Sequence, residues 1–239
     1  MILPPSIASF QSELIEHARA VLPQEACGLI TQTKYFPCHN AHSSPSSNFL
    51  IDAKDYIRAE DHGKILAVFH SHPDNENKFS SYDLRACKQS NLPWIMYCVG
   101  TDDWFYADPS GSQQYLDRQW SYGVNDCYGL FRDFYRKEFN ILLDDFTRGE
   151  EFEWKNPNWS MFQDNVEQQG FVPVENPSQK GDMILMQLQA SMPNHCGVMV
   201  EPASSIFYHH LAGRLSEANI YGGYWKKNTA RILRHRELL

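Results

Sequence analysis

The sequence predicts an α+β protein of two domains. Helical patterns and short apolar strand patterns both recur along the chain, and the periodicity lapses in a turn-rich polar segment, residues 108–114. A chain of 239 residues allows each half its own core, and an apolar content of 42% is typical of a folded protein. We predict one domain over residues 1–108, a linker over 109–119 and a second domain over 120–239.

The first half contains a series of short elements. A helix is predicted over residues 9–21, because apolar residues recur on one side and Pro23 ends the pattern; we expect it to cover a sheet. Ser, Pro and Asn indicate a loop over 41–52, and Asp52 begins a helix that reaches His62. The other predictions are strands over 27–31, 35–38, 65–69, 94–99 and 104–107, and a helix over 81–90.

Two histidines follow the buried strand in the middle of this series. In extended backbone the side chains of His70 and His72 point the same way, with Cα atoms about 7 Å apart. Ser80 caps the next helix, and Asp83, three residues on, faces back toward the strand end. Two histidines and one carboxylate leave an open position on Zn²⁺, as a catalytic zinc requires. The alternative is an incidental histidine pair beside a plain capping box.

This spacing resembles the signature of the JAMM metalloproteases. The segment HSHP is followed at the family distance by Ser80 and Asp83, although Phe79 stands where the family commonly has Pro. The resemblance implies a JAMM/MPN-like mixed sheet flanked by helices, and an oxyanion stabilised by Ser80 if its hydroxyl is not committed to the helix cap. The implied zinc ligands are His70, His72 and Asp83.

An acid upstream completes the resemblance. Glu25 lies just before a strand that begins with Cys-Gly, the position of the JAMM general base; otherwise it is a surface acid after a proline turn. Three other histidines are explained as loop residues or as a cation near a helix end: His39, His42 and His62. A purely structural zinc site would need a fourth protein ligand, for which Cys87 and His62 are the candidates.

A second candidate site follows the linker. Apolar side chains at i, i+3, i+4, i+7 and i+8 predict one helix face, formed by Cys127, Leu130, Phe131, Phe134 and Tyr135. Asn125 or Asp126 would cap this helix and place Cys127 in its first turn, where backbone N–H groups and the helix dipole favour a thiolate. The alternative is a small buried thiol on a core face.

Two histidines downstream can serve this cysteine. His195 begins a predicted strand, and His209 lies in the next one, with His210 on the opposite face. A cysteine protease needs a histidine to take the thiol proton and a polar group to orient that histidine. The sequence therefore predicts a triad of Cys127, His195 and His209. A further strand is predicted within residues 180–188.

These segments resemble the NlpC/P60 cysteine peptidases. The family's Asp-Cys-Ser-Gly helix start appears as Asp-Cys-Tyr-Gly at 126–129, and its His-x-Gly strand appears at 195–197. The resemblance implies a papain-like domain with a helix-borne cysteine and an antiparallel sheet. It makes His209 the third residue, if the turn over 201–205 absorbs a longer spacing, and implies that Tyr122 and Asp126 contact substrate. Tyr122 equally fits packing beside Trp120.

Composition excludes several other classes of protein. The formal net charge is −8, and acidic residues outnumber basic ones in both halves, so a nucleic-acid partner is not expected. No apolar run is long enough for a membrane span, and the start MILPPSIASF lacks a signal-peptide pattern, so we expect cytoplasmic folding. Six scattered cysteines without close pairs predict free thiols.

The order of the two domains, with YHHLAGRL and YGGYW near the end, resembles the lambda K-like family of tail assembly proteins of phages with long non-contractile tails. The resemblance implies tail-tip proteins as partners, the host cytoplasm as the place of assembly, and the virion tail tip as a further location. It also implies a zinc (iso)peptidase and a cysteine endopeptidase that cuts cell-wall peptides. The competing interpretation is a non-catalytic assembly factor whose domains serve as docking surfaces.

Overall fold

Residues 3–146, 148 and 160–239 are described in a computed structural model of the chain. They divide into two units, Met1–Ser110 and Gly111–Leu239. Most of the segment 109–119, predicted as a linker, belongs to the second unit. Arg118 is buried there and forms an ion pair with Asp133, at 2.5 Å between Nη1 and Oδ2. The predicted linker therefore includes Arg118, whose charged side chain is held in the second unit by an ion pair.

The first unit is a mixed sheet with helices. Its elements are α1 (Pro5–Ala8), α2 (Gln11–Ala20), β1 (Cys27–Thr31), β2 (Tyr35–Cys38), α3 (Ala53–Glu60), β3 (Ile65–His72), α4 (Ser81–Ser90), β4 (Trp94–Cys98) and β5 (Asp103–Ala107). The strand order is β2-β1-β3-β4-β5, and only β3 and β4 pair in parallel. The mixed sheet predicted for this half is confirmed.

The predicted helix over residues 9–21 corresponds to α2, and the short helix α1 before it was not predicted. The backbone N–H of Phe10 donates to the carbonyl of Ile7, which closes a turn between α1 and α2. Leu14 and Ala18 of α2 are fully buried in the core of the first unit, with residues of the sheet. Their spacing of four residues places them on one helix face, and this face provides the apolar cover that the sequence predicts.

The second unit is a helix on an antiparallel sheet. Its elements are α5 (Cys127–Phe139), α6 (Met161–Asn165), β6 (Phe171–Pro173), β7 (Met183–Met186), β8 (His195–Glu201), β9 (Ile206–His209), β10 (Glu217–Ile220), α7 (Gly223–Lys227) and β11 (Thr229–His235). The strand order is β10-β9-β8-β7-β11-β6, with every pairing antiparallel. Together with the first unit, this confirms the predicted α+β class.

Both faces of the second sheet are covered. Phe131, Phe134 and Tyr135 of α5 are buried in one core, and on the other side Trp225 of α7 packs against a smaller cluster that includes Phe207. The elements α6, β6, β10 and α7 were not predicted. The strand pattern at Ile232 and Leu233 predicted an edge strand, but β11 lies inside the sheet, between β7 and β6. Among the described residues, no helix combines the length and apolar character needed to cross a membrane.

Candidate active sites

Strand β3 places two imidazoles on one face of the first sheet. The ring centroids of His70 and His72 are 5.2 Å apart. Between them, Ser71 points the other way, and its hydroxyl accepts a hydrogen bond from the backbone N–H of Ala26 at 2.9 Å. This alternation follows from extended backbone and agrees with the predicted convergence of the two rings.

The start of α4 directs a carboxylate at the same point. Asp83 and Ser80 form a capping box in which Asp83 Oδ2 accepts from the Ser80 backbone N–H at 2.8 Å. The same oxygen lies 3.6 Å from Nε2 of His70 and 3.5 Å from Nε2 of His72. The cap therefore fixes Asp83 where it can share a cation with both rings.

The donor atoms of this cluster fit a metal ion. One ligand atom from each of His70, His72 and Asp83 lies within 4.8 Å of the others, and all three residues are buried. His72 Nδ1 donates to the Glu76 carbonyl at 2.9 Å, which leaves Nε2 as the lone-pair nitrogen. Within the described part of the chain, neither ring nitrogen of buried His70 has a hydrogen-bond partner. Because unpaired buried polar groups are costly, a bound cation would satisfy a ring that the protein leaves unsatisfied.

Aromatic packing holds the His70 ring in place. Phe49 stacks on it with centroids 4.8 Å apart and planes 22° apart, and Trp94 and Phe79 contact it at 5.6 and 5.7 Å. Phe79, which departs from the JAMM pattern, thus packs against the candidate ligand His70 and is also part of the loop. Phe49 lies in the segment predicted as a loop, whose polar composition gave no indication of this contact.

Glu25 lies beside the cluster. Extending the antiparallel register of β1 and β3 by two residues from Cys27 and His70 places Glu25 opposite His72. Burial raises the pKa of Glu25 to about 8, with His72 acting against the shift and Asp83 adding to it. A buried carboxyl with a pKa in this range is suited to exchange protons near neutral pH.

Neither proposed fourth ligand joins this cluster. The Cys87 thiol donates to the carbonyls of Leu92 and Ala107, and His62 Nδ1 contacts the Arg58 carbonyl. Among the described residues, the only group of three or more potential metal ligands is His70, His72 and Asp83. This composition supports an open site more than a closed structural one.

The Ser80 hydroxyl already has hydrogen-bond partners within the helix cap. Its Oγ donates to Asp83 Oδ2 at 2.7 Å and accepts from the Asp83 backbone N–H at 3.1 Å. The hydroxyl is therefore committed to the cap. The resemblance to the JAMM family implies that Ser80 stabilises an oxyanion only if its hydroxyl is not used in this way. The geometry makes Ser80 a residue that orients the Asp83 carboxylate.

The second site begins at the N-terminus of α5. Asp126 is the N-cap, and its Oδ1 accepts from the Gly129 N–H at 2.7 Å. Cys127 is the first helical residue and is partly exposed, in contrast to the other five cysteines, which are buried. All six are free thiols, as predicted. The helix start thus presents one sulfur to a cavity of about 650 Å³.

Three side chains continue from this sulfur into the sheet. Nε2 of His195 on β8 lies 3.1 Å from Nδ1 of His209 on β9, and Nε2 of His209 lies 3.1 Å from Nδ2 of Asn219 on β10. Burial and the neighbouring His195 lower the pKa of His209 to about 3, so this ring is neutral at ordinary pH. The structure thus brings His195 and His209 together despite their separation of 14 residues.

The surroundings of Cys127 favour its thiolate. A hydrogen bond with the thiol of Cys196 lowers the pKa of Cys127 most, and a hydrogen bond with His195 and the charge of that ring lower it further. Burial acts in the opposite direction and is outweighed. Cys196 is fully buried, and burial raises its own pKa, so its thiol keeps the proton that it donates.

Comparison with known proteins agrees with both sites. Residues 8–115 match the model described as prokaryotic homologs of the JAB domain, and residues 113–234 match the NlpC/P60 family. Tail tip assembly protein K of Escherichia phage N15 is 35% identical over 231 residues, which cover 94% of this chain and 93% of that protein. The chain belongs to the tail tip assembly protein K family. The family member of Escherichia phage lambda is 34% identical over 184 residues, 77% of this chain and 88% of that protein.

In this member of the tail tip assembly protein K family, the Asp126 carboxylate is already paired. Arg148 donates to it through Nε at 2.9 Å and Nη2 at 3.1 Å, and the Gly123 N–H donates at 2.9 Å. Both charged side chains are buried. The predicted contact of Asp126 with a substrate amine would require Arg148 to give up this ion pair. No local pattern in the sequence connects the two residues.

Tyr122 combines the two interpretations given for it. It lines the cavity, but its hydroxyl donates to the Arg148 carbonyl at 2.7 Å and its ring lies 5.8 Å from that of Trp120. The substrate contact therefore stays a prediction, and the packing beside Trp120 is present.

Proposed function

We propose that this protein is a phage tail-tip assembly protein with two peptidase sites, a cysteine endopeptidase and a zinc-dependent JAMM-type (iso)peptidase. The observation that carries the proposal is the connected set Cys127, His195 and His209 at a cavity that can hold a short peptide. A nucleophile, a base and a group that orients the base are the requirements of cysteine peptidase chemistry.

In the second unit, His195 takes the thiol proton as the Cys127 sulfur forms a bond with a peptide carbonyl carbon. The carbon–nitrogen bond then breaks, and His195 returns the proton to the leaving amine. A water molecule, deprotonated by the same ring, hydrolyses the thioester and restores the thiol. Cell-wall peptides are the proposed substrate, because NlpC/P60 peptidases of this kind cut peptides that contain D-glutamate and diaminopimelate.

In the first unit, His70, His72 and Asp83 would hold a zinc ion through two Nε2 atoms and one carboxylate oxygen. A bound zinc ion supplies Lewis acidity, which activates water and polarises a carbonyl. Glu25 would take a proton from the attacking water and pass it to the leaving amine, as its raised pKa favours. A tail component is the proposed substrate of this site.

The relatives named tail tip assembly protein K support the assembly role. The proposed partners are other tail-tip proteins, met in the host cytoplasm during assembly, and the tail tip of the virion is the proposed later location. One observation favours a docking role for the first unit. Ser80 is bound in the cap, so that unit offers no free hydroxyl at the position of the family's oxyanion donor.

Complementation of tail assembly tests the proposal. A phage that lacks this gene is supplied with the wild-type protein, Glu25→Gln or Cys127→Ala, and infectious particles are counted. Purified proteins are tested in parallel for release of peptides from murein and for zinc content. Loss of peptide release in Cys127→Ala alone supports the cysteine site, and loss of particles in Glu25→Gln with zinc retained supports the metal site. Full complementation by both variants would establish the docking function.

A further inference from the structure

The chain of hydrogen bonds that runs from Cys127 through His195, here called the relay, does not end at His209. The His209 ring stacks on Phe207, with centroids 4.9 Å apart, and the Trp225 ring contacts it at 4.5 Å. This packing fixes the plane of the ring, so that Nδ1 faces His195 and Nε2 faces β10. What lies at β10 therefore decides which nitrogen of His209 carries the proton.

The proposed peptidase chemistry needs one of the two arrangements of protons. Nε2 of His195 faces His209, so Nδ1 is the nitrogen left to take the proton of Cys127. His195 must then carry its own proton on Nε2 and donate it to Nδ1 of His209. A neutral His209 that accepts at Nδ1 carries its proton on Nε2, and this N–H needs an acceptor on β10.

Two side chains of β10 reach this nitrogen, and they are not equivalent. Glu217 Oε1 lies 3.6 Å from Nε2, outside hydrogen-bond distance, and its side chain is 43% exposed. The Asn219 amide lies at 3.1 Å. Its Nδ2 faces the ring and donates, which favours the opposite tautomer. A half turn of the amide puts Oδ1 in the same place, because the two ends have nearly the same shape.

We propose that Asn219 is a positioning residue that sets the tautomer of His209 and, through it, that of His195. This inference rests on the proposed cysteine peptidase function. With Oδ1 toward His209, the hydrogen bonds run from His195 to His209 to Asn219, and Nδ1 of His195 is free to accept the Cys127 proton. With Nδ2 toward His209 they run in reverse, and Nδ1 of His195 already carries a proton.

The test measures the reactivity of Cys127 directly, with no murein substrate. The full chain is treated with iodoacetamide at a series of pH values, and the rate of Cys127 modification is followed by mass spectrometry of its peptide. The other cysteines are buried, so Cys127 is the thiol that reacts in the folded protein. The charged and titratable groups around the relay stay constant in the Asn219 variants: Asp126, Arg148, Cys196, His209, His210 and Glu217.

Two substitutions of similar size separate the roles of Asn219. Asn219→Leu offers neither donor nor acceptor, and we expect the midpoint of the reactivity profile to rise by about one pH unit, a tenfold change in thiolate population below the midpoint. Asn219→Asp offers an acceptor in every orientation, and we expect a midpoint at or below that of wild type. A purely structural role would not give this rescue. A wild-type midpoint in Asn219→Leu, or an equal rise in both variants, overturns the proposal.

Two controls assign any failure. His195→Ala must raise the midpoint, and an unchanged midpoint there overturns the proposed cysteine–histidine pair itself. If His195→Ala raises the midpoint and Asn219→Leu does not, Asn219 alone is excluded. A rise in Glu217→Gln with none in Asn219→Leu would make Glu217 the acceptor in its place. Thermal unfolding of each variant identifies any that does not fold, and the near-isosteric Asn219→Asp keeps the proposal testable.

Discussion

The candidate sites of the two units differ in how many of their buried polar atoms have hydrogen-bond partners within the protein. In the described part of the first unit, both nitrogens of the buried His70 ring lack hydrogen-bond partners, and Asp83 Oδ2 lies 3.6 Å from Nε2 of His70 and 3.5 Å from Nε2 of His72. In the second unit the rings are connected to each other and to Asn219 by hydrogen bonds of 3.1 Å. The first site thus has buried ring nitrogens that a bound cation could satisfy, whereas the rings of the second site are hydrogen-bonded to one another and to Asn219.

The two sites also differ in how the chain assembles them. The candidate metal ligands come from one strand end and the next helix start, within residues 70–83. The cysteine site takes Cys127, His195, His209 and Asn219 from four separate elements. The first is therefore encoded locally, while the second depends on the register of a whole sheet.

Loss of the nucleophile gives the largest expected effect. In Cys127→Ala we expect murein peptide release to fall at least about a thousandfold, because no other group can replace the attacking sulfur. Zinc content should not change, since the metal cluster lies in the other unit. Cys87→Ala removes a buried thiol from the first unit and should retain peptide release. Equal release by Cys127→Ala and wild type would place the hydrolysis elsewhere.

Zinc should stabilise the first unit and leave the second unchanged. At a free zinc concentration about one hundred times Kd, binding adds about 2.7 kcal/mol to the free energy of unfolding, measured as a rise in the transition temperature. His72→Ala should lose this gain, and His39→Ala, an exposed histidine outside the cluster, should keep it. The reactivity of Cys127 should be the same with and without a chelator. Equal stabilisation of His72→Ala would exclude the proposed ligand set.

Sequence patterns predicted most of the first unit and only part of the second. The strands β1 and β2 and the helix α4 have the predicted bounds, because Gly, Pro and capping residues mark short elements with clear periodicity. The strand β10 was missed, since its sequence EANI is only four residues long and contains a single β-branched residue.

The missed site contacts share a physical cause. Phe49 on His70, Arg148 on Asp126 and Asn219 on His209 all join residues far apart in sequence, and such contacts leave no periodic signal. The spacing of Ser80 and Asp83 does give a clear local signal, but that signal has two interpretations. It fits both a helix cap and an oxyanion donor, and only the hydrogen bonds of the Ser80 hydroxyl separate the two.

Acid should destabilise the second unit through its buried neutral rings. The pKa of His209 is lowered to about 3 and that of His210 to about 4, both chiefly by burial, whereas a histidine in the unfolded chain titrates near about 6.5. As the pH falls from the unfolded value toward these folded values, the unfolded chain binds protons that the folded state does not. Stability is therefore full above the unfolded pKa and falls by up to about 1.4 kcal/mol per pH unit for each ring.

Urea unfolding at several pH values measures this slope. In His209→Gln we expect a shallower loss of stability with acid, because one titrating ring has been removed. His62→Gln, which changes an exposed histidine of the first unit, should keep the wild-type slope for the second unit. An equal slope in His209→Gln and wild type would mean that this ring is already protonated in the folded state.

The smallest expected effect separates the cap from catalysis in the first unit. Ser80→Ala removes a hydroxyl that accepts from the Asp83 N–H and donates to its carboxylate, so we expect a loss of about 1 kcal/mol of unfolding free energy and weaker zinc binding. The adjacent Ser81→Ala is the matched control, because Ser81 is exposed and follows the cap. Ser80→Thr keeps the capping hydroxyl and should restore both stability and zinc affinity. If Ser80→Ala instead keeps full stability and zinc affinity but loses the peptidase activity of the first unit, the hydroxyl acts on substrate. The first site would then resemble the cysteine site, because each would use a hydrogen-bonding group that the folded chain already holds in position.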